Sequence, residues 1–75
     1  MKPYANLGGS SGVVSYETGP DSITVQFKDG SIYLYTNQSA GSAYIERMKS
    51  LAISGQGLNS FISTVVKKLY EKKLK

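Results

Sequence analysis

Two tyrosines and a set of lysines are the residues of this sequence whose types and spacing could carry a function. Tyr33 and Tyr35 alternate in the segment Tyr33-Leu34-Tyr35, and alternate residues of a β-strand point to the same face of a sheet. Phenol rings held at this spacing can stack on unpaired bases, while lysines contact phosphates. The residues predicted to bind nucleic acid are Tyr33, Tyr35, Gln26, Lys28, Arg47, Lys49, Lys67 and Lys68.

The tyrosine pair also has a second interpretation. Tyrosine is a common strand residue, and its amphipathic ring suits a protein interface. The same aromatic face would then be covered by the N-terminal segment, by Tyr16, or by a partner chain in a homodimer or protein complex. The two interpretations differ in whether the rings are exposed beside lysines in the free protein.

Most enzyme chemistry is excluded by composition. The 75 residues contain no cysteine and no histidine, so thiolate nucleophiles, imidazole bases, disulfides and the common zinc sites are absent. Asp21 and Asp29 are typical turn residues, and Glu46 and Glu71 are typical of helix surfaces. The sequence predicts a binding module that is not an enzyme and has no catalytic residues, metal ligands or cofactor.

The net charge of +4 is concentrated at the C-terminus. Five lysines against Glu71 give the last nine residues a net charge of +4, which suits phosphates, although lysines in a final helical turn also complement the helix dipole. No apolar stretch is long enough for a signal peptide or a membrane span. We therefore expect a cytoplasmic protein without membrane partners.

A β-hairpin would position the tyrosines. Ile23, Val25 and Phe27 alternate with polar residues, and Asp29-Gly30 has the composition of a two-residue hairpin turn. That turn pairs Phe27 with Ile32 and Val25 with Leu34. Every large aliphatic side chain of the hairpin then lies on one face, and the tyrosines share the other face with Thr24 and Gln26.

The remaining elements complete an α+β domain. Residues 1–12 read as a flexible lead-in, and residues 13–75 as one domain in which a strand over 13–17 precedes the hairpin. A helix capped by Ser39 or Ser42 carries Ile45, Met48, Leu51 and Ala52 on one stripe. A second carries Leu58, Phe61, Ile62, Val65 and Leu69, and ends in the basic helical C-terminus. The predicted order is β-β-β-α-α, a three-stranded antiparallel meander with two helices on one face.

The loop between the two helices is a second candidate site. Gly55, Gln56 and Gly57 precede Leu58 and Asn59 at the predicted start of a helix, where free backbone N–H groups can hold a phosphate. Glycines in such a loop more often only let the chain turn between packed helices. We favour the turn, and keep Gly55, Gln56, Gly57 and Asn59 as a weaker phosphate site.

From about Ser11 to Tyr70 the chain resembles the KTSC domain, a small bacterial module that also occurs at the C-terminus of some lysyl-tRNA synthetases. The resemblance rests on Tyr16-Glu17, on Ile23, Val25 and Phe27, on Gly30 and Tyr33-Leu34-Tyr35, and on Gly55, Asn59 and Ile62. Glu17 replaces a commoner Asp, and the proline usual before the first helix is missing. The family has no established activity, and the resemblance implies an RNA-binding role and a bacterial or phage source.

Overall fold

The computed structural model describes residues 1–7, 9 and 11–75 of the chain. In this part of the chain, an antiparallel sheet has the strand order β1-β2-β3-β4-β5, which is also the order along the chain. The strands are β1 (Lys2–Pro3), β2 (Val13–Gly19), β3 (Ser22–Phe27), β4 (Ile32–Thr36) and β5 (Lys72–Lys73). The α+β class is confirmed, but the predicted three-stranded meander lacked the two short outer strands.

Three helices lie between β4 and β5. They are α1 (Asn37–Ala40), α2 (Ser42–Ser54) and α3 (Leu58–Phe61), and α3 continues into a π-helical turn over Ile62–Val66. The Thr36 hydroxyl accepts a hydrogen bond from the Ser39 amide, and the Ser39 hydroxyl accepts one from the Thr36 amide, so α1 begins with a capping box. At the other end, α2 ends at Gly55, whose φ of 81° few other residues adopt.

One core lies between the helices and one face of the sheet. Strand side chains contribute Tyr16, Ile23, Val25 and Tyr35, and α2 contributes Ile45, Met48 and Ala52. Tyr4, Val13, Leu58, Ile62 and Val66 complete it. In the part of the chain that the structure describes, the helices cover only this face, so the domain has two layers and the other face of the sheet carries no helix.

The register of the β3–β4 hairpin was predicted wrongly by one residue. Val25 lies opposite Tyr33, and Ile23 lies opposite Tyr35. The loop has three residues instead of two, because the Phe27 amide donates to the Ser31 carbonyl and the Gly30 amide donates back to the Phe27 carbonyl, both at 2.9 Å. Gly30 has a φ of 89°, as expected for the last residue of a three-residue hairpin loop.

The side chain of Asp29 supports this longer loop. Its carboxylate accepts hydrogen bonds from the Ser31 amide at 2.9 Å and the Ser31 hydroxyl at 2.6 Å. These bonds, with a smaller contribution from the charge of Lys73, hold the pKa of Asp29 below its usual value. Because side chains alternate between the two faces of a sheet, the extra loop residue places every β4 side chain on the face opposite to the predicted one.

The first residues of the chain belong to the fold rather than to a lead-in. β1 pairs with β2, and the Tyr4 amide continues the ladder by donating to the Val14 carbonyl at 2.9 Å. The Tyr4 ring is buried in the core, and the Leu7 amide donates to the Gly55 carbonyl at 2.7 Å. Gly8 and Ser10, which were part of the predicted lead-in, lie outside the described residues.

The C-terminus is also different from the prediction. The helix ends at the π-helical turn, where the Lys67 amide donates to the Ile62 carbonyl at 2.6 Å and Lys67 takes a φ of 45°. A π-helical turn holds about one residue more than an α-helical turn, so Val66 is buried where Val65 was expected. The chain then returns to the sheet as β5, and the predicted basic helical C-terminus was wrong.

Candidate nucleic-acid interface

The two tyrosines of β4 lie on the helix-covered face of the sheet. Tyr35 is 2% exposed and belongs to the core, whereas Tyr33 is partly buried at the margin of the core. Burial and the neighbouring Tyr33 and Tyr70 raise the pKa of Tyr35 to about 12. The predicted pair of exposed rings is therefore wrong for Tyr35, which offers no surface to a base or to a partner chain in this fold.

Tyr33 remains accessible in part, within an aromatic group that the sequence did not suggest. Its ring centroid lies 4.7 Å from that of Tyr70 and 5.7 Å from that of Phe27. The Nζ atom of Lys73 lies 5.7 Å from the Tyr33 ring centroid, which is cation–π distance. We call Phe27, Tyr33, Tyr70 and Lys73 the aromatic–lysine edge.

Two strands and the π-helical turn bring this edge together. Lys73 of β5 lies directly opposite Tyr33 of β4, and its side chain therefore points to the same face. Tyr70 follows the turn that ends the π-helical segment, and it packs against both Tyr33 and Tyr35. The exposed Lys28 follows Phe27 at the end of β3, so a second lysine lies next in sequence to the edge.

The other predicted contact residues are not gathered at one place. Gln26 points to the face without helices, where its Oε1 atom accepts a hydrogen bond from the Ser15 hydroxyl at 2.8 Å. Arg47 is exposed on α2. Lys49 contacts Glu46 at 3.2 Å and the Pro20 carbonyl at 3.0 Å, so it joins α2 to the β2–β3 turn instead.

Lys67 and Lys68 are exposed in the turn that precedes Tyr70. They stay candidates for phosphate contact because they lie in the same C-terminal segment as the aromatic–lysine edge. Neither Tyr70 nor Lys73 was selected from the sequence. The stretch from residue 67 to residue 75 is rich in lysine and contains no run of strand-forming residues, so it read as the end of a helix.

The glycine loop functions as a turn between α2 and α3. Gly55 and Gly57 have φ values of 81° and 85°, and the Leu58 amide donates to the buried Tyr4 hydroxyl at 3.3 Å. Gln56, Gly57 and Asn59 line an open polar cleft of about 180 Å³ together with Tyr4, Asn6, Ser11 and Ser60. The Tyr4 hydroxyl therefore already accepts a hydrogen bond from one of the amides that could have bound a phosphate. Phosphate binding at this loop stays a prediction.

Two further properties bear on the site. Within residues 1–7, 9 and 11–75, no three acidic side chains come close enough together to hold a metal ion. In the same part of the chain, no helix has the length and apolar character needed to cross a membrane.

The fold and the edge define a small two-layer α+β domain with aromatic rings and lysines at one side of its sheet. Comparisons of the chain with protein-family models, with curated proteins and with solved structures found no match.

Proposed function

We propose that this protein is a non-catalytic module that binds single-stranded nucleic acid, RNA in the first place, at the aromatic–lysine edge. The observation that carries the proposal is the position of the Lys73 ammonium 5.7 Å from the centre of the partly exposed Tyr33 ring. Proteins that bind single-stranded nucleic acid combine aromatic rings with cationic side chains, since bases stack on the rings while the cations contact phosphates.

The surrounding charge supports the same proposal. The exposed residues Lys28, Lys67, Lys68 and Lys75 flank the aromatic–lysine edge in sequence, and the excess positive charge of the chain lies in its last nine residues. The resemblance to the KTSC domain also favours RNA and a bacterial or phage source, and under this proposal the protein acts in the cytoplasm. Under this proposal no cofactor takes part, and the protein is not an enzyme.

The first test is a titration of a fluorescein-labelled 12-nucleotide oligouridine, followed by fluorescence polarisation at two salt concentrations. We expect Lys73→Ala to weaken binding about fivefold, equivalent to about 1 kcal/mol, and to lower the salt slope by about 0.7. Lys2→Ala is a matched control, because Lys2 is exposed on β1, the opposite edge strand of the same sheet. Equal losses in the two variants would mean that only general positive charge is involved.

A second pair of variants tests the ring itself. Tyr33→Phe keeps the aromatic face and should bind like the wild type, whereas Tyr33→Leu keeps an apolar side chain but removes the ring. Loss of one stacked base costs about 1–3 kcal/mol, which is about 5-fold to 150-fold in affinity. Circular dichroism and thermal unfolding should show that both variants are folded. Unchanged affinity in folded Tyr33→Leu would exclude stacking on this ring.

A further inference from the structure

The face of the sheet that carries no helix has an unusual composition for a solvent-exposed surface. We call it the open face. Its paired residues are Pro3, Ser15, Glu17, Gly19, Ser22, Thr24, Gln26, Ile32, Leu34, Thr36 and Lys72. Leu74 extends it, since its amide donates to the Ile32 carbonyl and its side chain alternates with that of Lys73. Leu74 is 49% exposed, and Val14, next to a bulge in β2, is 47% exposed.

The charges of the open face lie at opposite ends of one row across the strands. In this row Glu17 is next to Thr24, Thr24 is next to Leu34, and Leu34 is next to Lys72. Three strand intervals of about 4.8 Å separate Glu17 from Lys72 by about 14 Å, too far for an ion pair within one chain. The single ion pair among the described residues joins Lys49 to Glu46 instead.

A two-fold axis makes this row complementary to itself. Consider an axis that lies in the plane of an interface, parallel to the strands and between β3 and β4. It places Glu17 of each copy opposite Lys72 of the other, so two ion pairs form at the two ends of the row. The neighbouring row contains Ser15, Gln26, Ile32 and Leu74. On this row the same operation places Ser15 opposite Leu74, with the exposed Val14 of the β2 bulge next to Ser15. Such self-complementarity is the requirement for a symmetric dimer interface.

We infer that the open face is a homodimer interface, in which two sheets pack face to face with a second copy of this chain as the partner. Stacked sheets pack about 10 Å apart at an angle of about −30°, which an axis tilted by about 15° from the strands provides. Ile32 and Leu34, both partly exposed in one copy, would be buried between the sheets. A 75-residue domain also gains from burying an additional apolar surface.

The edges of the sheet favour the face over edge-to-edge pairing. β1 and β5 each have two residues, β1 contains Pro3 and β5 consists of Lys72 and Lys73. Short edge strands with proline or lysine are the features by which proteins avoid pairing through a sheet edge. The inferred dimer also leaves the aromatic–lysine edge uncovered, because Tyr33 and Lys73 point to the other face.

Sedimentation velocity of the full chain from micromolar to millimolar concentration tests this inference. We expect the wild type to dimerise within this range, and Lys72→Glu or Glu17→Lys alone to weaken dimerisation by at least about tenfold, because each places like charges opposite each other twice. Lys68→Glu makes the same charge change in a turn outside the sheet and should dimerise like the wild type.

Two recombinations of these variants make the test specific. An equimolar mixture of Lys72→Glu with Glu17→Lys should form a mixed dimer, since each copy then carries two charges opposite to those that face it. The double variant should also regain self-association. A wild type that stays monomeric to millimolar concentration would overturn the inference, as would a dimer that Lys72→Glu does not weaken or a mixture that does not associate.

Discussion

Burial of Tyr35 should make the stability of the fold depend on alkaline pH. The pKa of this phenol is raised from 10.0 to about 12, because the side chain is buried and two further tyrosines lie beside it. The unfolded chain therefore releases the Tyr35 proton at a lower pH than the folded chain. This contribution to stability is complete below pH 10 and is lost as the pH rises to about 12. Two pKa units correspond to about 2–3 kcal/mol.

The assay is urea unfolding of the wild type and of Tyr35→Phe at intervals from pH 8.5 to 12. The two proteins share every other contribution to the pH dependence of unfolding, so the quantity of interest is the difference between them. We expect the stability of the wild type to fall by about 2–3 kcal/mol more than that of Tyr35→Phe. Tyr44→Phe is the control, since Tyr44 is 41% exposed and should follow the wild type. Parallel pH profiles for the wild type and Tyr35→Phe would refute the burial of this hydroxyl.

Two further predictions concern the contact between the N-terminal segment and the glycine loop. Gly55→Ala should cost at least about 2 kcal/mol of unfolding free energy in urea, because the residue has a φ of 81° and a new Cβ would lie 2.7 Å from the Cβ of Ala5. Gly30→Ala has a similar φ and open space, so a loss as large as that of Gly55→Ala would contradict this reasoning. Tyr4→Phe should cost about 1 kcal/mol and speed hydrogen exchange of the Leu58 amide, and unchanged exchange would mean that this hydrogen bond is unimportant.

The sequence predicted the helix α2 and its end because the local signals agree there. Ile45, Met48 and Ala52 follow the helical period and are buried, and Gly55 ends the helix with a positive φ. The start of the next helix at Leu58 was also predicted. These features depend on residues close together in the chain, where periodicity and glycine conformation dominate.

The hairpin register was not predictable from the same rules. Asp29-Gly30 suits a two-residue loop and equally the last two positions of a three-residue loop, and the choice decides which face the β4 side chains occupy. The two-residue loop was predicted because it would bury the aliphatic side chains of Ile32 and Leu34 in the core. The structure instead buries Tyr35, whose larger ring fills the space between β4 and Tyr70.

The two outer strands were missed because each has only two residues. β1 and β5 form strands because they pair with β2 and β4, respectively. Neither contains a run of residues with high strand propensity. The π-helical turn also shifts the buried stripe from Val65 to Val66, which a period of 3.6 residues does not predict. The wrong register placed Tyr33 on the opposite face of the sheet, although the ring is partly exposed where the structure has it. Its partners Tyr70 and Lys73 were not found, because they belong to the missed turn and strand at the C-terminus.

The proposed function is tested most directly by nuclear magnetic resonance of the ¹⁵N-labelled protein during titration with a short oligouridine. Binding at the aromatic–lysine edge should shift the amide signals of Lys28, Tyr33, Tyr70 and Lys73 first, and leave those of Glu17 and Thr24 on the open face unchanged. Shifts confined to the open face or to the Gly55–Gly57 loop, or no shifts at low salt, would contradict the proposal.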